Sequence, residues 1–157
     1  MSAKIDPPYP LPHVSRRALA RVKDKLPPPE QCPNCGDIVE LVSNSEIYGR
    51  EYGSWPYAYR CTNHRHCDSH VGLHPHTDLP LGSLADRRTR EARRACKALF
   101  LEWQSFNDWS RSQSYAWLAV RMGLPASQCH WGLFSVSDAE LAGAICEEAL
   151  SLARLKQ

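Results

Sequence analysis

The sequence contains no long apolar run and no apolar leader. Although 43% of its 157 residues are hydrophobic, no uninterrupted stretch approaches the ~20 residues that a bilayer-spanning helix requires. Residues 1–8 also lack the apolar segment that directs a chain to export. We therefore expect a soluble, cytoplasmic protein with no membrane partner, of a length that suits about one domain.

Signatures of nucleotide and covalent chemistry are missing as well. Gly49, Gly53 and Gly72 do not have the spacing of a phosphate-binding glycine loop. Residues 110–114 offer hydroxyl groups near His130, but they form no Gly-x-Ser-x-Gly elbow and have no defined acid-base partner. We predict no catalytic residues and no small-molecule substrate.

The net charge is small. The formal charge is +2 at pH 7 with neutral thiols, and four thiolates around one zinc ion would bring it close to zero. Overall charge therefore argues neither for nor against a nucleic-acid partner, and only local clusters of basic residues are informative.

Cysteine is the residue type that carries the most information. The seven cysteines are an odd number, and a cytoplasmic setting favours metal ligands or buried thiols over disulfides. Cys32 and Cys35 form a Cys-x-x-Cys knuckle, and Gly36 permits its tight turn. Cys61 and Cys67 supply a second pair. We predict that these four thiolates hold one structural Zn²⁺ in a ribbon-type site that leaves no position for water.

The spacing leaves the fourth ligand open. Cys61 and His64 form a Cys-x-x-His pair, so His64 is an alternative fourth ligand in a Cys3His site. A redox dithiol is the alternative without metal, but no thioredoxin-like βαβ pattern surrounds Cys32 and Cys35. The remaining cysteines are interpreted as core thiols: Cys96, Cys129 and Cys146.

Short strands are predicted around the cysteines. Residues 37–42 and 55–61 alternate apolar and polar side chains, and a third strand covers residues 69–73. Seven of the twelve prolines fall within the first thirty residues. Between the two proline clusters, residues 13–25 have the pattern of a short amphipathic helix, and its basic side chains are Arg16, Arg17, Arg21, Lys23 and Lys25.

After Pro80 the apolar period changes from two residues to 3.6, which predicts helices. Three capping-box-like pairs mark their starts: Ser83 with Asp86, Ser110 with Gln113, and Ser137 with Glu140. The core side of the third helix is predicted to carry Leu141, Ile145, Leu152 and Leu155.

These elements predict an α+β fold. A zinc-ribbon-like antiparallel β-element packs against about three C-terminal helices, and a basic, Pro-rich arm precedes it. The arm covers residues 1–30 and the single domain residues 31–157, with the ribbon at 31–78 and the helices at 83–156.

Two local clusters indicate a nucleic-acid partner. The helix predicted to follow Ser83 carries a stripe of basic side chains that suit phosphate oxygens: Arg87, Arg90, Arg94 and Lys97. Ribbon aromatics that can stack on unpaired bases include Tyr52, Trp55 and Tyr57. The plainer interpretations are a solvated helix face with i,i+4 ion pairs and an aromatic ribbon core.

Histidine is unusually dense between the third cysteine and residue 76. Five histidines fall there: His64, His66, His70, His74 and His76. Such density suggests a second metal or a metal-dependent nuclease centre. That chemistry also needs a paired acid, Asn or His on the following helix, which presents mainly arginines, so a nuclease is the third hypothesis.

Several motifs together resemble a known family. They lie at residues 32–36, 47–56, 59–61, 67–69, 71–75 and 80–85, and in the C-terminal half at 114–119 and 129–134. This set is similar to the zinc-finger-containing domain family of phages and prophage-bearing bacteria. The resemblance implies zinc binding, a phage association and a bacterial host cell, and it implies no reaction. His64 and His66 are additional to the family pattern.

The sequence therefore predicts a non-catalytic, zinc-stabilised binding module. The first hypothesis is nucleic-acid binding through the Arg-rich helix face and the ribbon aromatics. The alternative is a small phage-encoded protein-interaction factor that binds and modulates a host or phage enzyme, with the Trp-rich helices and the Pro-rich arm as anchors.

Overall fold

The structure is a computed structural model that describes residues 5–157; the first four residues of the predicted arm lie outside the described residues. The chain divides into two compact units, one ending at Asp86 and the other beginning at Arg87. The domain limits expected from the sequence, 1–30 and 31–157, stay a prediction. Over residues 5–157 the elements are five α-helices, two 3-10 helices and one three-stranded sheet, so the predicted α+β class is confirmed.

The first unit is built on an antiparallel sheet. Its strands are β1 (Val39–Ser43), β2 (Tyr57–Cys61) and β3 (His70–Gly72), in the order β1-β2-β3. Val39 pairs with Cys61 at one end of the β1–β2 ladder, and Ser43 pairs with Tyr57 at the other. All three strands lie where the alternation in the sequence predicted them. The short helix α2 (Ser45–Tyr48), which the pattern did not reveal, follows β1.

The arm is part of the hydrophobic core of this unit. Leu11 is buried together with Tyr59, Leu73 and Leu84. The predicted arm helix forms as α1 (Arg16–Arg21), shorter than the pattern suggested, and the side chain of Ser15 caps it by accepting a hydrogen bond from the Ala18 N–H. Since α1 itself has no buried residue, the arm is held by the segment before the helix.

The second unit consists of helices. They are α3 (Arg87–Asn107), α4 (Arg111–Met122) and α5 (Val136–Leu155), with two 3-10 helices between α4 and α5 at Ala126–Gln128 and Trp131–Leu133. Its buried core combines aromatic and small side chains with two leucines: Phe100, Trp103, Leu118, Ala119, Cys129, Trp131, Phe134, Ala139, Ala142, Cys146 and Leu150. Among the helices of residues 5–157, none has the length and apolarity to cross a bilayer.

One of the three predicted helix starts is confirmed. Ser110 and Gln113 form the predicted capping box of α4. The helix expected after Ser83 begins only at Arg87, because residues 84 and 85 are taken up by the first unit: Leu84 is buried in its core, and Ala85 exchanges backbone hydrogen bonds with His70.

The prediction for α5 was wrong in its cap and in three of its four core residues. The capping box is formed by Ser135 and Asp138, two residues earlier than expected. Leu141, Leu152 and Leu155 are exposed by 50%, 53% and 82%, whereas Ile145 packs against the core as predicted. Apart from Leu150, the fully buried residues of α5 are small, and a search for large apolar side chains overlooks them.

Candidate metal centre

Two turns bring four sulfur atoms together at one end of the sheet. In the first turn, Cys32 N–H donates to the Asp37 carbonyl at 2.8 Å and Gly36 N–H donates to the Cys32 carbonyl at 2.8 Å. Gly36 has φ +84°, a left-handed conformation that glycine adopts without strain. The second turn begins at Cys61, the last residue of β2, and the Cys67 N–H closes it on the Asn63 carbonyl at 2.8 Å.

The sulfur positions have the dimensions of a tetrahedral site. The Sγ atoms of Cys32, Cys35, Cys61 and Cys67 all lie within 4.8 Å of one another. Cys32 Sγ is 3.7 Å from Cys67 Sγ, and Cys35 Sγ is 3.3 Å from Cys61 Sγ, so each close pair joins the two turns. Four zinc–sulfur bonds of ~2.3 Å place the sulfurs of a tetrahedral centre about 3.8 Å apart.

Three of these thiols are buried, and Cys35 is exposed. Burial by itself opposes ionisation of Cys32, but hydrogen bonds from the backbone of Asn34 and Cys35 and from Ser69 outweigh it and lower its pKa to about 7. Burial, followed by the neighbouring Cys35, raises the pKa of Cys61 to about 12. Four thiols this close cannot all ionise unless a cation compensates their charge, so the donor set fits a divalent, thiophilic metal ion.

A hydrogen-bonded outer shell orients the sulfurs. Ser69 is fully buried, and its Oγ lies 3.2 Å from Cys67 Sγ. Asn34, in the first turn, donates from Nδ2 to Ser69 Oγ at 2.7 Å and to the Leu84 carbonyl at 3.3 Å. The two turns are therefore linked through side chains as well as through the four sulfurs.

Histidine does not enter the cluster. His64 is exposed in the second turn and is not one of the four residues of the group. Within residues 5–157, the four cysteines are the only group of three or more His, Cys, Asp or Glu side chains with ligand atoms this close together. The five histidines that suggested a second metal thus form no such group.

A sulfur cluster held by two turns on an antiparallel hairpin defines a metal-binding module of the zinc-finger class. Residues 28–148 match the family described as a zinc-finger-containing domain. The match covers well over half of the chain, and this protein belongs to that family and binds one structural zinc ion. Neither a curated protein nor a solved structure gives a significant match.

The predicted basic stripe lies on a solvent-exposed side of α3. Arg87, Arg94 and Lys97 are exposed and Arg90 is half-buried. At 100° per residue the four side chains fall within about 80° of one another, and the centre of the stripe lies about 130° around the helix from the buried Thr89, Phe100 and Trp103. The stripe also carries an ion pair, because Arg87 Nε lies 3.1 Å from Glu91 Oε1.

The predicted aromatic residues form two separate groups in the first unit. Tyr52 is exposed, with the Arg50 guanidinium 4.5 Å above its ring and Tyr48 against it edge-on. Trp55 and Tyr57 are half-buried and pack on the sheet core. The stripe on α3 belongs to the other unit, so no single unit contains both the stripe and the aromatic residues.

One contact of this region was not foreseen from the sequence. His13, which belongs to the arm, meets His76 at a nitrogen–nitrogen distance of 3.0 Å, and both rings contact Trp55. Local sequence patterns could not reveal this pairing, because 63 residues separate the two histidines. The only signal in the sequence was the presence of aromatic side chains in both the arm and the ribbon.

Proposed function

We propose that this protein is a non-catalytic, zinc-stabilised module that binds nucleic acid, with the basic stripe of α3 on phosphate oxygens. The observation that carries the proposal is that Arg87, Arg90, Arg94 and Lys97 lie within one sector of a 21-residue helix and that three of the four are exposed. Guanidinium groups match phosphate oxygens in a two-pronged geometry, and a row of them follows a nucleic-acid backbone.

The zinc centre acts as scaffold in this proposal. Four protein sulfurs complete a tetrahedral shell, so no coordination position remains for a water nucleophile. The ion instead fixes the two turns from which β1 and β3 continue. The resemblance of the motifs extends the proposal to a phage-encoded protein in the cytoplasm of a bacterial host.

The test is a binding titration with labelled single- and double-stranded DNA and RNA at several salt concentrations. Each phosphate contact adds about 0.7 to 0.9 to the negative slope of log affinity against log salt. We expect the double variant Arg90→Gln, Arg94→Gln to lower that slope by about 1 to 2 and to weaken binding for all sequences alike.

A matched control is available on α4. Arg121 is exposed in the last turn of that helix, so Arg121→Gln removes a positive charge from the same unit without touching the stripe. Affinity that is insensitive to salt, or an equal loss in the control and the stripe variant, would contradict phosphate binding by α3.

A second candidate function is protein interaction. Leu141, Leu152 and Leu155 are exposed on α5 and, at 100° per residue, fall within about 60° of one another. Such a stripe of exposed leucines is typical of a protein-binding helix face. The anchors expected from the sequence are less suited, because Trp103 and Trp131 are buried in the helical core.

The two functions give different results in one experiment. Leu152→Lys changes the α5 stripe and leaves the α3 stripe intact. If this protein modulates an enzyme of host or phage, Leu152→Lys should abolish its recovery of that enzyme from a lysate while nucleic-acid binding is unchanged or absent.

A further inference from the structure

An unusual pair of imidazole rings lies on the surface of the first unit. His13 Nε2 and His76 Nδ1 are 3.0 Å apart, and the ring planes differ by only 14°. The ring centroids are 5.2 Å apart. This distance exceeds the nitrogen–nitrogen distance by about one ring radius for each ring, so each nitrogen lies on the line between the two centroids. The two rings therefore lie edge to edge in nearly one plane, and we call this surface the imidazole plate.

One indole ring lies against both imidazoles. The Trp55 ring centroid is 5.0 Å from that of His13 and 4.9 Å from that of His76. Trp55 is itself fixed, because its Nε1–H donates to the Thr77 carbonyl at 3.0 Å and Tyr57 packs against it edge-on. The indole plane is tilted by about 50° to both imidazoles, so Trp55 contacts the plate without stacking on it. His13 and His76 are exposed while Trp55 is half-buried, so the plate is a flat π-surface accessible to solvent.

The geometry does not suit a metal ion. The two ring nitrogens point at each other at hydrogen-bond distance, so a shared hydrogen occupies the line between them. An ion bound by both nitrogens at about 2.0 Å would have to displace that hydrogen and separate or tilt the rings. The plate therefore offers its face, and not its nitrogen atoms, to a ligand.

A basic segment continues directly from the plate. The Ser15 N–H donates to the His76 carbonyl at 2.8 Å, and α1 begins at the next residue. Residues 13–25 contain five Arg and Lys side chains against one Asp, a formal charge of 5 − 1 = +4. Arg17 and Arg21 are exposed on α1. Because Leu11 is buried in the sheet core, this charge is held beside the plate.

We infer that the imidazole plate and α1 form a binding site for single-stranded nucleic acid, with an unpaired base stacked on the plate and the adjoining phosphates along α1. This inference rests on the proposed function only in that the protein binds nucleic acid; the site it assigns lies in the first unit and is separate from the α3 stripe. A flat π-surface accepts the face of any base, but only when the base is not already covered by its neighbours in a duplex. The positive charge supplies the sequence-independent attraction to phosphate.

The experiment measures anisotropy of a labelled oligothymidylate and of a duplex of equal length, with the full zinc-loaded chain. We expect the single strand to bind more tightly, and His13→Ala to weaken single-strand binding about 5- to 150-fold, the range for losing one stacked base. Duplex binding should change little. His76→Asn should act in the same way, and asparagine tolerates the positive φ of +61° at this position.

Further variants separate stacking from loss of the docked arm. His13→Gln keeps a hydrogen-bonding partner for His76 and removes only the flat ring, so it should also weaken single-strand binding. Arg17→Gln with Arg21→Gln should reduce the salt dependence of single-strand binding. The matched control is His64→Ala with His66→Ala, two exposed histidines of the same unit away from the plate, which should bind like the unmodified protein.

The outcomes distinguish the inference from the proposed function. If the unmodified protein binds no nucleic acid at all, both are overturned. A second outcome is that the unmodified protein binds nucleic acid while the His13→Gln and His76→Asn variants, folded and zinc-loaded, keep its affinity for the single strand. In that case the plate is not the binding site, and the proposed nucleic-acid binding stands. Equal losses for single strand and duplex would also overturn the inference, and recovery of an acidic protein at the plate in place of nucleic acid would do the same.

Discussion

A close contact between α3 and α5 leads to a quantitative stability prediction. A methyl group at Gly143 on α5 would lie 2.9 Å from both Cβ and Sγ of Cys96 on α3, and 3.4 Å from its Cα. Favourable carbon–carbon contacts lie at about 3.5–4.0 Å. Because the Cβ and Cα positions are fixed by the backbone, a rotamer change cannot relieve the overlap, and the two helices would have to separate.

Two opposing terms set the size of the effect of Gly143→Ala. Alanine is favoured over glycine within a helix by about 1 kcal/mol, while overpacking of a core costs about 1–3 kcal/mol. We expect a net loss of about 1 kcal/mol in the free energy of unfolding, within a range of about 0–2 kcal/mol. With a urea dependence of about 2 kcal/mol per M, the midpoint of unfolding should fall by about 0.5 M.

Tryptophan fluorescence during urea unfolding is the suitable assay, because four of the five tryptophans lie in the second unit. Ala144→Gly is the matched control: residue 144 is the exposed neighbour on the same helix, so this change measures the helix-propensity term alone. Cys96→Gly removes both crowded atoms but itself adds a helical glycine, so the comparison is a double-mutant cycle: Gly143→Ala should cost less stability in the Cys96→Gly background than in the unmodified protein.

A gain in stability from Gly143→Ala would refute the reasoning, since it would mean that helix propensity acts without the overlap. A loss from Gly143→Ala that is equally large in the Cys96→Gly background would also contradict it, because the penalty would then arise elsewhere.

Three further predictions concern the metal centre and the thiols. Ser69→Ala removes the hydroxyl beside Cys67 Sγ and should weaken zinc binding about 10- to 100-fold in a competition with a chelating dye, whereas a change below twofold would contradict an orienting role. Removal of zinc by a chelator should unfold the first unit and leave most of the helical circular dichroism, because the four sulfurs all belong to that unit; the cobalt-substituted protein should show thiolate charge-transfer bands, and their absence would contradict the site. Burial raises the pKa of Cys129 to about 11 and that of Cys146 to about 12. As the pH rises, these thiols therefore ionise first in the unfolded chain. The free energy of unfolding of the helices should be constant at neutral pH and fall as the pH rises above about 9. Cys146→Ala should reduce that fall.

The sequence predicted the metal centre and the sheet well for a physical reason. Cysteine spacing is a local signal, and the alternation around Tyr59 and Val71 is equally local, so neither required knowledge of the tertiary structure. The fourth ligand was ambiguous because Cys67 and His64 both suit the spacing. Only the folded turn, with Cys67 buried and His64 exposed, distinguishes them.

The helical core could not be predicted in the same way. The interior of α5 uses Ala139, Ala142, Gly143 and Cys146, whose small side chains allow α3 to come close. A pattern of large apolar residues pointed instead to the leucines on the opposite side. Close helix packing by small residues is recognised only when the partner helix is known.

Contacts between distant segments were beyond local patterns as well. The burial of Leu11 and the pairing of His13 with His76 depend on how the arm returns to the sheet. Composition predicted a basic, Pro-rich arm with a short helix, but it carries no information on a docking site formed by residues 63 positions away.

The two ends of the β1–β2 ladder are held by different parts of the chain. The sulfurs hold the end where Val39 faces Cys61, and the connection after Ser43 leaves from the other end, about 13 Å away along four residue steps. In that connection, Asn44 bonds both the N–H and the carbonyl of Tyr52 through its side-chain amide and so closes residues 44–52 into a loop of their own. The hairpin is therefore pinned at both ends by different chemistry, a metal ion at one end and a side-chain amide at the other, and Arg60 of β2 also ties the connection to the sheet by donating to the Glu46 carbonyl at 3.3 Å.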